Sequence, residues 1–147
     1  MTAMEEYREG PHSRYEIQYH FVWEVKCRKS VLRGDISLRL RDLVREICRS
    51  HDVEILEGSV SCDHVHLLVS SPPTLSPSKI MRAIKGKSSR KLLMEYRELR
   101  RQFWGRHLWS RGYFVATSGT VTEEVIREYI RLQSEPHLER DDNFKIA

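Results

Sequence analysis

Residues 61–70 read SCDHVHLLVS, and the alternation inside this stretch restricts the fold more than any other part of the chain. In an extended strand successive side chains face opposite ways, so Val65, Leu67 and Val69 make one apolar row while His64, His66 and Leu68 make the other. The apolar row must meet a layer of helices. The two imidazoles then stand on the reverse face, so the expected sheet is covered on one side and open on the other.

The remaining periodicities supply the partners. In EIQYHFVWEV, residues 16–25, Ile17, Tyr19, Phe21, Trp23 and Val25 alternate with Glu16, Gln18, His20, Val22 and Glu24, which makes this a first strand with one buried face. From Asp35, a candidate N-cap, Ile36, Leu40, Leu43, Val44 and Ile47 recur at helical spacing with arginines opposite. VEILEGSV forms a second strand, joined to HVHLLVS by a turn at about Ser61 to Asp63. After the proline-rich SPPTLSPSK, a long basic helix is expected from Pro77 to about Phe103, with an interruption at Gly86. YFVATS is a fourth strand, and Thr122 caps a last helix ended by Pro136. The order β-α-β-β-α-β plus one helix predicts an α+β, ferredoxin-like (split βαβ) fold, a four-stranded antiparallel sheet with two helices on one face.

At 147 residues the chain is expected to hold one domain over 15–136, flanked by a loose arm at 1–14 and a tail at 137–147. Its 25 lysines and arginines against 21 acidic residues permit a polyanionic partner without demanding one. Three cysteines without CxxC spacing, and no apolar run long enough for a bilayer, point to a reduced, cytoplasmic protein with no membrane association.

His64 and His66 are spaced roughly 6–7 Å apart at Cα by strand rise, close enough for both rings to converge on one metal ion. Cys62 lies too far along the strand to share that ion with His66. Two imidazoles underfill any coordination sphere, so a third ligand must come from elsewhere in the fold. In the last helix, Tyr129 and Gln133 are four apart and share one face.

Taken together, YHFVWEVKCRKSVL at 19–32, CDHVHLLVS at 62–70, IKGKSSR at 84–90, LWSRGYFVATSG at 108–119 and EEVIREYIRLQ at 123–133 resemble the single-tyrosine HUH transposases of small bacterial and archaeal insertion sequences. The resemblance implies that His64 and His66 are metal ligands with Gln133 as the third, and that Tyr129, on the extra C-terminal helix, is the nucleophile. It also implies a homodimer with active sites shared between subunits, acting on single-stranded DNA folded into hairpins at element ends. The segment IRLQSEP departs from the wording common in the family, where an acidic and an amide residue often precede the glutamine.

The expected chemistry is transesterification, in which the tyrosine oxygen exchanges one phosphodiester for a 5′-phosphotyrosine with Mg²⁺ or Mn²⁺ assisting. Lys79, Arg82, Lys85, Lys87 and Arg90 are the expected DNA-backbone contacts. A non-catalytic single-strand binder and a metal-dependent phosphohydrolase remain the alternatives. Asp63, in a turn before the strand, and His20, on the polar face of the first strand, are left without a role.

Overall fold

The computed structural model describes residues 7–104, 106–117, 128 and 144–146. The helix expected to carry Tyr129 and Gln133, and the connector around Gly119, lie outside the described residues apart from Glu128.

A short ribbon, β1 (Arg8–Glu9) and β2 (Arg14–Tyr15), precedes the sheet. It is tied down by Arg8, whose guanidinium donates to the Ser70 and Asp52 carbonyls at 2.9 Å each and packs over the Tyr15 ring. Then follow β3 (Gln18–Glu24), α1 (Gly34–Ser50), β4 (Glu54–Val60), β5 (His64–Ser70), α2 (Pro77–Glu95), α3 (Arg97–Gln102), β6 (Phe114–Thr117) and β7 (Phe144–Ile146).

In the main sheet the order is β6-β3-β5-β4-β7. Its first four strands are antiparallel and give the split βαβ arrangement expected from the periodicities, with β3 and β5 as central neighbours. The fifth strand extends that expectation. Residues 144–146, within the stretch expected to be a tail, lie parallel to β4 with Gly58 opposite Phe144. A Cβ at Gly58 would come within 2.5 Å of the Phe144 ring, so only glycine admits this aromatic, which is fully buried.

The core fills the space between the helices and one sheet face. Phe21, Trp23 and Val25 of the first strand segment, and Val65, Leu67 and Val69 of β5, are buried to within 1 % and meet the α1 residues Leu40, Leu43 and Val44. Burial of this kind contributes roughly 1.5–3 kcal/mol per large apolar side chain. Trp109 joins from the connector between α3 and β6, edge-on to Trp23, and donates from Nε1 to the Ser88 hydroxyl at 2.9 Å.

Two local expectations are corrected. The first helix starts at Gly34 rather than after Asp35; Arg33 is its N-cap, and Asp35 falls in the first turn, where its charge favours the helix dipole. The second helix runs unbroken through Gly86 and stops at Tyr96, whose extended backbone (φ −117°, ψ 103°) separates α2 from α3. Gly86 costs too little to break a helix held by Ile80, Ile84, Leu92 and Leu93 in the core. At the other end, Ser76 caps α2 by accepting from the Lys79 amide, with Pro77 at the first helical position.

Among the described residues, no helix is long and apolar enough to cross a membrane.

Candidate active site on the reverse face of the sheet

The antiparallel register fixes which side chains share the face turned from the helices. His66 lies between Ser59 of β4 and Val22 of β3, Leu68 between Glu57 and His20, and His64 opposite Glu24. Both sequence-expected imidazoles therefore project from β5 on one side, in a row of polar groups. This face is less open than expected. His64 is 2 % exposed and Val22 1 %, the latter flanked in register by His66 and by Phe114.

His64 is held from behind. Its Nδ1 lies 2.7 Å from Asp63 Oδ1, and both side chains are buried. A carboxylate accepts but cannot donate, so the proton sits on Nδ1 and Nε2 is left with its lone pair. Burial, the larger influence, lowers the His64 pKa, and the Asp63 contact opposes it. The neutral ring, the form that can ligate a metal, is thereby favoured.

His66 meets a different partner. Its Nε2 stands 3.3 Å from Nδ1 of His20 on the neighbouring strand. Burial lowers the His20 pKa, with Glu57 pulling the other way. Glu24, opposite His64, has its pKa raised by burial, with Arg28 opposing and Asp63 adding to the rise.

These groups suit a divalent cation. Two imidazoles share one strand face, and the carboxylate behind the first is the usual outer partner of a metal-bound histidine. Among the described residues no group of three His, Cys, Asp or Glu side chains converges on one point. The expected third ligand, Gln133, and the expected nucleophile, Tyr129, lie outside the described residues. Cys62 sits in the turn before β5, its carbonyl accepting from Leu32.

The five expected DNA contacts part company. Lys79 and Arg82 are exposed on α2. Lys85 is half-buried and donates through Nζ to the Ser110 and Gly112 carbonyls at 2.7 and 2.8 Å, tying the connector to α2, and burial lowers its pKa. Lys87 pairs with Glu46 of α1 at 3.1 Å. Arg90 borders a cavity of about 850 Å³ on the helix side of the molecule.

That cavity adds Arg106 and Arg111, which the sequence did not single out. Arg100, Arg106 and Arg111 line it with Lys85 and Arg90 around an apolar floor that includes Leu93, Met94 and Trp109, and no carboxylate is among its lining residues. Arg100 is anchored on the Leu93 and Met94 carbonyls. Arg90, Arg106 and Arg111 make no ion pair among the described residues. The basic run at 79–101 was a visible signal; the convergence of Arg106 and Arg111 upon it depends on the tether at Lys85.

The chain matches, over residues 13–133, the family described as "Transposase IS200 like". It is 34 % identical over 128 residues to the ISDra2 transposase TnpA of Deinococcus radiodurans, covering 87 % of this chain and 91 % of that protein. To the transposase for insertion sequence element IS200 of Salmonella typhimurium it is 36 % identical over 124 residues, 84 % of this chain and 81 % of the relative. A crystal structure from D. radiodurans R1, assigned as a transposase, superposes with TM-score 0.76 at 30 % identity and covers 87 % of this chain and 98 % of its own. The REP-associated tyrosine transposase bound to a REP hairpin shares the fold, with TM-score 0.53 at 17 % identity over 83 % of this chain and 68 % of that one.

Proposed function

The chain belongs to the IS200-like transposase family, and on that premise we propose that it cuts and rejoins single-stranded DNA at hairpin-bearing element ends through Tyr129. The observation that carries this is the pair of imidazoles on one face of β5, the first with its Nδ1 on a buried carboxylate and its Nε2 left to ligate.

In this mechanism His64, His66 and Gln133 would hold the cation, and a bound Mg²⁺ or Mn²⁺ would supply Lewis-acid stabilisation to the phosphate and the departing 3′ oxygen. The rest is done by the chain. Tyr129 loses its proton, its oxygen attacks phosphorus, and the bond to the 3′ oxygen breaks. The products are a 5′-phosphotyrosine and a free 3′-hydroxyl. One phosphodiester replaces another, so rejoining by a 3′-hydroxyl needs no added energy source. Asp63 keeps His64 in the ligating tautomer, and Arg90, Arg106 and Arg111 take DNA phosphates on the helix side.

A homodimer with sites shared between subunits supplies two nucleophiles for two DNA ends. End-labelled single-stranded DNA carrying a hairpin tests the proposal. A covalent adduct that vanishes in Tyr129→Phe is the expected result; free cleaved product would mean a hydrolase, and a gel shift without cleavage a binder.

A further inference from the structure

His20 and His66 are diagonal neighbours across the β3–β5 ladder, since Val22 pairs with His66 and His20 with Leu68. Their ring planes differ by 3° and their centres are 5.6 Å apart. The nearest nitrogens are 3.3 Å apart. The difference of 2.3 Å is what the two centre-to-nitrogen radii of imidazole add, so both nitrogens lie on the line joining the ring centres. The rings are therefore coplanar and edge to edge, the geometry of an N–H···N hydrogen bond rather than of stacked faces.

One proton occupies that line. If His66 donates it, Nε2 of His66 is protonated and cannot ligate. If His20 donates it, Nε2 keeps its lone pair and the His66 proton sits on Nδ1, the tautomer that a ligand bound through Nε2 requires. We propose that His20 is a positioning residue of the paired-histidine site. Its Nδ1–H donates to His66 Nε2, holds that ring in the ligating tautomer, and gives way when a cation binds. This rests on the metal-site reading above, in which His66 ligates through Nε2. The donor and the cation exclude each other, because two metal–nitrogen bonds of about 2 Å end to end do not fit within 3.3 Å. His20 does for His66 in the metal-free chain what Asp63 does for His64 from the other side of the ring. Asp63 stays in place on metal binding and His20 moves.

Long-range ¹H–¹⁵N NMR of the full chain reads the tautomers directly. Without metal, His66 is expected with Nδ1 protonated and Nε2 bare, and His20 with Nδ1 protonated. In His20→Leu the His66 signals should move to a tautomer mixture, while His20→Asn, whose amide nitrogen falls where Nδ1 was, should keep the parent pattern. Should His20→Leu fail to fold, the parent and His20→Asn decide the matter. A protonated Nε2 on His66 in the parent, or an unaltered tautomer in a folded His20→Leu chain, overturns the proposal. Zn²⁺, used as a diamagnetic probe, should shift His66 Nε2 and abolish the His20–His66 bond in step. A bond that survives a full His66 shift also overturns it. If Zn²⁺ leaves His64 and His66 untouched, it is the metal-site reading that falls, and the proposed handover to a cation falls with it.

Discussion

The reverse face of the sheet and the basic cavity on the helix side are assembled in opposite ways. The face takes His64 and His66 from one strand and His20 and Glu24 from its neighbour, so a single ladder register places all four. The cavity takes Arg90 from α2, Arg100 from α3, and Arg106 and Arg111 from the connector, and depends on Lys85 holding that connector to the helix. On the face, His64 contacts Asp63 at 2.7 Å and His20 contacts His66 at 3.3 Å, whereas Arg90, Arg106 and Arg111 make no ion pair among the described residues. In the proposed mechanism precision sits where bonds change, and less tightly held cations sit where a polyanion only has to be gripped.

The proposed division breaks most visibly at the nucleophile. Tyr129→Phe should reduce covalent adduct to background while DNA affinity stays within about twofold, because only the attacking oxygen is lost. Adduct from the phenylalanine variant, read on a denaturing gel, would place the nucleophile elsewhere.

The carboxylate behind His64 comes next. Asp63→Ala removes the acceptor at Nδ1 and should weaken Mn²⁺ binding by about 10–100-fold, as loss of an outer partner of a metal-bound histidine does. Asp63→Asn retains an oxygen acceptor and should lose less. Equal affinity in the alanine variant, measured by calorimetric titration, would make Asp63 a turn residue and nothing more.

The cavity should answer to salt instead of metal. Arg106→Ala with Arg111→Ala removes two phosphate contacts, so the slope of log affinity against log salt should flatten by about 2, with the cleavage rate at saturating DNA unchanged. An unchanged slope would take the DNA off this side of the molecule.

How far this contrast was legible in the sequence follows from the same physics. Alternation gave β3 and β5 their faces, because a period of two admits one assignment once the apolar row is identified. The place of His20 beside His66 required the register, which strand-by-strand reading leaves free to slide. Asp63 carried no signal that distinguished turn chemistry from ring support, since the deciding fact is a 2.7 Å contact. Lys85 and Lys87 read as a basic helix face, yet Lys85 ties down a connector 25 residues further along and Lys87 pairs with α1. Charge runs show where cations are, and only tertiary contacts show which are already spent. The β7 strand was invisible for a related reason: three residues make no pattern, and Phe144 is placed by the space left above Gly58.

The smallest expected effect separates the two regions by pH. His64 and His20 have folded pKa values below their ordinary value of 6.5, chiefly through burial. Near pH 7 and above both states of the chain keep these rings neutral. As pH falls through 6.5 the unfolded chain takes up protons first, so stability declines and goes on declining until the lowered folded values are passed. Glu24 has the opposite sign. Its raised folded pKa makes the native state the better proton acceptor below neutrality, so its protonation offsets part of the loss at the acid end. The melting temperature should therefore fall on acidification from pH 7 to below 6, and fall less in a His64→Gln chain, which has lost one of the two depressed rings. The Arg106→Ala, Arg111→Ala chain should track the parent, because it keeps both depressed imidazoles. Parallel melting curves for the parent and His64→Gln chains across that interval would show that His64 carries none of the acid sensitivity.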